Sequence, residues 1–335
     1  MPSTVLILGA RGRFGLAAAR AFANAGWRVL GHLRPGAQPP TPAQTDCRIE
    51  WLSIDLDTRA ALCQAALGAQ VVVHALNPAY TNAVWASQAL PLLDAAIAVA
   101  RQLGATLMFP GNVYNFGAGM PTHLSEDTPQ NPSTVKGRIR LAMEQRMAQS
   151  GVRSVVIRAG DFFGSGQGSW FDQAMVTRLQ QGVMTYPGQA EVPTAWAYLP
   201  DLARTFVAVA ERRAALGEFT VLHFAGHSLT LAQWQQVLQG IALAQGWVKP
   251  GAALRVKGLP WPIIRLGAWV NPVWAALLEM RYLWATPHAL VNTRLTALIG
   301  PEPHTPLVLA AQTALADLGK LKPAASGAGA EAMAH

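Results

Sequence analysis

Three side chains on one short stretch raise the first chemical question. In PSTVKGRIRLAMEQR, residues 132–146, Lys136, Arg140 and Glu144 recur at every fourth position, so on a helix they share nearly one face. An amine, a guanidinium and a carboxylate in that order make either a solvated ion ladder or the reactive edge of a site. In the second case the amine moves protons once desolvation brings its pKa toward neutrality. A second stretch, LGARGRFG at 8–15, spaces Gly9, Gly12 and Gly15 as G-x-x-G-x-x-G. Glycines so spaced permit a tight turn, close approach of backbone N–H groups to a pyrophosphate, and close packing of helix on sheet. The helix N-terminus that follows favours phosphate charge.

Both stretches need a frame to hold them. Solid apolar runs predict strands at 4–8, 27–33, 49–56, 69–76, 105–111 and 152–160. Between them, helices are expected at 13–25, 57–67, 82–103 and 132–150, closed by Gly26, Gly68, Gly104 and Gly151. A Pro-rich loop fills 35–42, and Asp57 is the expected N-cap of the second helix. Strict alternation with apolar strands predicts an α/β fold, a doubly wound parallel Rossmann sheet covered on both faces. Beyond residue 160 a strand at 193–199, a helix at 201–216 and a strand at 219–225 are expected to return to that sheet, and a helix is expected at 229–247. The Trp- and Pro-rich stretch 250–306 reads as an irregular cap. The division is therefore a dinucleotide-binding part at 1–165, a mixed, mostly helical substrate-binding part at 166–320, and a small-residue, disordered tail at 321–335.

The acid-free opening suggests which dinucleotide. Residues 1–45 contain five arginines and no Asp or Glu. Sites for the unphosphorylated coenzyme place an acid after the second strand to hold a ribose hydroxyl. Here that strand ends in GHLRPG, with Arg34, while Arg11 lies inside the glycine loop. Two guanidiniums suit a 2′-phosphate, so NADP(H) is expected over NAD(H); Arg34 as a plain solvated loop residue is the alternative. Asp55 and Leu56, in SIDLD after the third strand, sit where adenine is held. With the loop residues Arg13 and Phe14, the fourth-strand end Ala75 and Leu76, and Ala159 at the end of the sixth strand, they complete the expected cofactor contacts.

Composition narrows the class. Half the residues are hydrophobic and 13% are charged, enough for a sizeable core. The net charge of +8 is scattered, with no Lys/Arg-rich run and no aromatic-basic motif, which argues against nucleic-acid binding. Two cysteines, Cys47 and Cys63, sixteen residues apart, match no metal or redox spacing and fit a reducing, cytoplasmic compartment. The apolar run at the N-terminus lacks a charged region before it, so no signal peptide is expected. LGAWVNPVWAALL at 266–278 has thirteen residues with Pro272 inside, too few to span a bilayer. It reads as a buried helix pair or, alternatively, as a membrane-surface patch. His74 ends the fourth strand, where a hydrogen-bonded histidine is expected. His123 and His223 lack companions at metal spacing, so no metal is predicted.

At this point the sequence resembles the short-chain dehydrogenase/reductase superfamily, in its extended and atypical branches. VLILGARGRFG is similar to the superfamily's glycine motif, and SIDLDT to its D-L motif. MFPGNVYNFG at 108–117 resembles the S-S-x-x-V-Y-G strand end, and SEDTPQNP at 125–132 the E-x-x-P-x-x-P loop. VVIRAGDFFG at 155–164 resembles L-R-P-x-x-x-Y-G, and AWAYLPDLART at 195–205 the x-V-H-V-D-D-L-A segment. Six matches in order imply the fold and the cofactor and say little about substrate. The family's four-helix pairing makes a homodimer possible.

The resemblance also locates a departure. Most of the superfamily carries Tyr-x-x-x-Lys on the helix described first, the lysine lowering the tyrosine pKa and the tyrosine moving the substrate proton. Here Lys136 stands at the tyrosine position and Arg140 at the lysine position, and Gly111 and Asn112 replace the helper serine. Reductases resembling isoflavone reductase carry a similar lysine, arginine and glutamate. The resemblance therefore implies Lys136 as acid/base, Arg140 on ribose or phosphate oxygens, and Glu144 anchoring Arg140. Tyr114 and Asn112 are further catalytic candidates. Asp161, Phe162, Phe163, Trp170 and Trp196 are candidate substrate contacts in a bulky apolar pocket, each with structural packing or capping as the alternative. The leading expectation is an NADP(H)-dependent oxidoreductase acting on a small apolar or aromatic carbonyl or alkene. An NADP(H)-binding regulator without turnover and a nucleotide-sugar epimerase or dehydratase are the alternatives.

Overall fold

The computed structural model describes residues 2–40 and 48–321. In chain order these form β1 (Thr4–Leu8), α1 (Arg13–Asn24), β2 (Arg28–Leu33), β3 (Ile49–Ser53), α2 (Arg59–Ala65), β4 (Val71–His74), α3 (Asn82–Leu103), β5 (Thr106–Asn112), β6 (His123–Leu124), α4 (Val135–Ala148), β7 (Ser154–Ala159) and β8 (Asp161–Phe163). The chain continues through β9 (Val183–Tyr186), β10 (Thr194–Tyr198), α5 (Leu199–Glu211), β11 (Phe219–His223), β12 (His227–Leu229), α6 (Leu231–Ala244), β13 (Arg255–Gly258), α7 (Trp261–Gly267), α8 (Pro272–Glu279), β14 (Ala289–Leu290), α9 (Thr293–Ile299) and α10 (Leu307–Asp317). Cys47, the end of the Pro-rich loop and the tail from residue 322 lie outside the described residues.

Seven strands form one parallel sheet in the order β11-β7-β5-β4-β1-β2-β3. The chain leaves β1 toward β2 on one side and returns to β4 on the other, so the carboxyl ends of β1 and β4 border the crevice where such sheets bind ligands. β1, β4 and β7 are buried at every position, because helices cover both faces. One face packs on α1 and α5 through Phe14, Phe22 and Phe206. The other packs on α2, α3 and α4 through Leu62, Leu93 and Met143.

Local signals fix the helices that carry the site. Thr81 and Thr134 cap α3 and α4, their hydroxyls accepting from Val84 N at 3.3 Å and Gly137 N at 3.0 Å. Gly104 ends α3 in the left-handed region at φ 63°. α3 is long and apolar enough to cross a membrane by length and composition alone. Here it turns Trp85, Leu93, Ile97 and Val99 into the core as a layer of the sheet.

Two expectations are corrected. The strand at 193–199 does not rejoin the large sheet. β10 instead pairs parallel with β8 and antiparallel with β12 in a separate three-stranded sheet. The cause lies at Gly160, between β7 and β8, where a Cβ would stand 2.1 Å from Ala195 O; the missing side chain lets β10 cross there. The second correction concerns the cap of α2, which is Thr58. Asp57 instead donates its backbone N–H to Asp55 Oδ1 at 2.9 Å.

Candidate active site

The glycine loop is built for close backbone approach. At Gly9, φ is +81° and a Cβ would meet the Ala75 and Leu76 backbone at 3.0 Å. At Gly15 a Cβ would lie 2.2 Å from Gly9 O, so α1 can start this close to β1 only with glycine there. The first turn of α1 has no acid, and its N-cap, Gly12, brings no capping side chain, which leaves the helix N–H groups to an anion. The cradle fits a dinucleotide pyrophosphate.

The other predicted cofactor contacts separate into two sets. Arg11 and Arg34 are exposed at the carboxyl ends of β1 and β2, and neither is paired with an acid among the described residues. Arg13 donates to Gly164 O at 3.1 Å, and its buried Nε has no partner. Burial lowers its pKa, opposed by Asp172. Asp55 is exposed, with one oxygen closing a turn onto Asp57 N; Leu56 packs against the core. Ala75 N donates to Leu8 O at 2.9 Å, which carries the β1–β4 pairing to the loop. The Phe14 side chain packs in the core edge-on to Phe206 with centroids 4.8 Å apart, and Ala159 is wholly buried, which leaves both to meet a cofactor through backbone atoms.

The four-residue ladder is no surface feature. Lys136 is 0%, Arg140 9% and Glu144 3% exposed. Lys136 Nζ donates to Asn82 Oδ1 at 2.6 Å and lies 4.3 Å from the Tyr80 ring centroid. Asn82 Nδ2 donates in turn to Glu279 Oε2 at 2.6 Å, and Val135 N donates to Glu279 Oε1 at 2.5 Å. Burial lowers the Lys136 pKa to about 8, while Glu279 pulls it upward. Arg140 stacks between Trp85 and Phe109, 5.0 and 4.8 Å from their centroids, and its buried Nε has no partner.

Glu144 does not anchor Arg140. It binds Arg158 through two bonds, Nε to Oε1 at 3.0 Å and Nη2 to Oε2 at 2.6 Å. Arg158 enters α4's buried face from β7, whereas Arg140 is sandwiched by rings. His74 stacks on Phe109 with centroids 5.3 Å apart, and both of its nitrogens lack a partner, contrary to the hydrogen-bonded histidine expected there. Burial, then Arg140, lower its pKa to about 3, so its ring is neutral.

Around Lys136, Tyr80, Tyr114, Asp161 and Tyr282 are half-buried and interact with one another, and they form the lining of the candidate cleft. Burial raises the Asp161 pKa to about 6, opposed by the Trp284 indole N–H, which donates to Oδ2 at 2.9 Å. Burial also raises the pKa values of Tyr80, Tyr114 and Tyr282, so their hydroxyls stay protonated. The Tyr80 and Tyr114 hydroxyls interact with one another, and the Tyr282 hydroxyl has no partner. Trp170 sets its ring edge-on to both Tyr80 and Trp284, at 6.0 and 5.0 Å.

Of the remaining candidates, Asn112 turns back on its own chain, accepting from Tyr114 N at 3.0 Å. Phe163 and Trp196 sit in a buried cluster with Phe171 and Trp234, where packing accounts for them, and the half-buried Phe162 packs against the sheet core. The pattern reading missed Tyr80, Asn82, Glu279 and Tyr282, while Trp284 is one of the tryptophans of the second half from which a bulky apolar pocket is expected. One signal pointed to Glu279: it is the only acid between Glu218 and Glu302. Among the described residues one trio, Asp201, His227 and His304, brings possible metal-ligand atoms within 4.8 Å of one another. Its carboxylate is already engaged by Arg204 Nη2 and by Thr305 N and Oγ1, at 2.5, 2.6 and 2.7 Å.

The family described as RmlD substrate binding domain matches residues 3–251. No curated protein sequence matches the chain. Among solved structures, a protein of Burkholderia cenocepacia J2315 with a provisional epimerase assignment aligns at TM-score 0.72 and 18% identity, over 94% of this chain and 97% of its own. A UDP-glucose 4-epimerase from Brucella ovis, in complex with NAD, aligns at TM-score 0.70 and 16% identity, over 95% and 98%. An NAD-dependent NDP-hexosamine 5,6-dehydratase, TunA, involved in tunicamycin biosynthesis, aligns at TM-score 0.65 and 19% identity, over 94% and 97%. These likenesses establish the fold.

Proposed function

The chain belongs to the RmlD substrate binding domain family, within the extended branch of the short-chain dehydrogenase/reductases, and on that premise we propose that it is a nicotinamide-dinucleotide-dependent enzyme of the epimerase and dehydratase class. Its substrate is a sugar-type alcohol or ketone carried on a nucleotide. The observation that carries the reading is Lys136, an amine with no solvent exposure, held at 2.6 Å by Asn82 where the superfamily keeps its tyrosine. With a pKa near 8 it is divided between amine and ammonium close to neutral pH. It can therefore take a proton from a substrate hydroxyl or give one to a carbonyl oxygen. Tyr114 and Asn112 keep their place as secondary candidates, Tyr114 as a hydroxyl donor and Asn112 through the turn it holds.

The Gly9, Gly12 and Gly15 cradle, with the α1 N–H groups, would hold the pyrophosphate. Arg140, with an unpartnered Nε, would meet ribose or phosphate oxygens. When bound, the dinucleotide supplies or accepts a hydride. The unpaired Arg11 and Arg34 support NADP(H), although the two named neighbours above that carry a coenzyme label are labelled with NAD.

The lining of the cleft supports a hydroxyl-rich substrate over the apolar carbonyl or alkene expected first. The Tyr282 hydroxyl has no partner, and Lys136 and Asp161 keep hydrogen-bonding capacity beyond their bonds to Asn82 and Trp284, capacity that a purely apolar substrate would leave unused. The names of the structural neighbours point the same way. A dinucleotide-binding regulator is the second reading, favoured by the tie that Asn82 places on Lys136.

Calorimetry with NADPH and NADH, followed by incubation with UDP- and dTDP-hexoses and product analysis by NMR, tests the proposal. Dinucleotide binding with conversion of one or more sugars is expected. Binding without conversion of any sugar favours the regulator, and no binding of either coenzyme overturns both readings.

A further inference from the structure

α7 and α8 form a helical hairpin with two unlike faces. Its inner face buries Ile264 and Leu277 against Trp261, Trp274, Trp170 and Trp284. Its outer face exposes Trp269 at 89%, Val270 at 88%, Leu266 at 77%, Ile263 at 61% and Val273 at 44%. Single exposed apolar residues need no explanation, but five within eleven positions form a patch.

The tip is firmly built, so the exposure does not come from a loose segment. Asn271 Oδ1 accepts from Val273 N at 3.0 Å and Trp274 N at 3.2 Å, which caps α8. Asn271 N donates to Gly267 O at 2.9 Å. A Cβ on Gly267 would lie 2.3 Å from the Trp274 ring, so the turn closes tightly because that residue is glycine.

The exposed charged residues on this stretch of the chain are basic. Arg265 stands among the exposed apolar residues, Arg281 lies over the Trp261 ring at 4.8 Å, and Arg255 and Lys257 project from the wholly exposed β13. None of the four is paired with an acid among the described residues. The single acid of residues 254–281, Glu279, is turned inward onto Asn82 and Val135. We propose that the α7–α8 tip docks this protein on the surface of an anionic lipid bilayer, with Trp269, Val270, Leu266 and Ile263 entering the headgroup–acyl boundary and Arg265, Lys257, Arg255 and Arg281 meeting lipid phosphates.

An exposed indole in the turn between two helices, with exposed apolar neighbours and unpaired basic residues on the same stretch of chain, matches the interfacial chemistry of peripheral membrane proteins. A second copy of the chain is the poorer occupant. A symmetric contact through this face would set the unneutralised cations of one copy against those of the other. Docking also engages the element that closes the cleft, since the hairpin's inner face packs on Trp170 and Trp284 and α8 ends in Glu279.

Co-sedimentation of the full chain with phosphatidylcholine vesicles, and with vesicles in which one third of the lipid is phosphatidylglycerol, tests the proposal. The anionic vesicles are expected to retain the wild type at least tenfold better than the neutral ones, and high salt should weaken retention. The Trp269→Ser/Val270→Ser double variant alters only solvent-exposed side chains, and it should lose that retention with an unchanged circular dichroism spectrum. The charge variant Arg265→Glu/Lys257→Glu should lose it as well. Equal retention of wild type and double variant overturns the proposal. So does a self-association, seen by light scattering and abolished by the double variant, without vesicle binding; that outcome assigns the face to a second copy.

Discussion

Lys136 on α4 and Glu279 on α8 are joined through one amide. Asn82 accepts from the lysine Nζ on its oxygen and donates to the glutamate from its nitrogen, each at 2.6 Å. The arrangement fixes the amide's orientation and holds a countercharge one side chain away from the ammonium. Asn82→Asp would put that countercharge in contact, and Glu279→Gln would remove it. The first is expected to raise the Lys136 pKa and the second to lower it further, each by about one unit. The basic inflection of the kcat/KM pH profile, or the Nζ signal in NMR, should move up and down accordingly.

Asp161 carries the opposite penalty. Burial raises its pKa from 3.8 to about 6. In that window the folded state binds more protons than the unfolded chain, so stability falls as pH rises through it and the full cost remains above it. Asp161→Asn removes the titrating group and keeps an oxygen for the Trp284 N–H. Thermal unfolding should show a gain of about 3 kcal/mol near neutral pH, shrinking toward pH values around 4.

The Glu144–Arg158 pair is buried, its two side chains 4% and 1% exposed. Glu144→Ala strands the guanidinium beside His223, whose Nε2 lies 3.3 Å from Arg158 Nη1. A loss of about 3–5 kcal/mol by chemical denaturation is expected. The double replacement Glu144→Leu/Arg158→Leu should cost far less, because no charge is left unpaired.

Arg11 and Arg34 set the coenzyme preference in this account. Replacing either with alanine should weaken NADPH binding about tenfold, roughly 1.4 kcal/mol, and leave NADH binding within about twofold. Calorimetric titration of each variant with both coenzymes reads the difference.

The first half of the chain was legible because period and punctuation agree there. TVLIL, the glycine loop and the helix closed by Gly104 each sit in the structure within a residue or two of their expected places. The strand at 193–199 was recognised as a strand but assigned to the wrong sheet. Local pattern cannot report that Gly160 lets the chain cross there. The site was half legible. Lys136 and Arg140 stand out from spacing on one helix, and their burial excludes a surface ion ladder. Glu144's partner was misassigned, since Arg158 comes from a strand whose register no local signal gives. Tyr80, Asn82, Glu279 and Tyr282 reach the cleft from loops and from α8, brought together only by tertiary packing. Phe163 and Trp196 show the converse: aromatic residues next to motif segments, buried for packing alone.

The central claim is that Lys136 moves the substrate proton. Lys136→Met keeps length and apolar volume, so the variant should bind dinucleotide within about threefold of wild type while turnover falls at least about a hundredfold and its basic pH limb disappears. Turnover undiminished in Lys136→Met, with the same pH profile, would contradict the account.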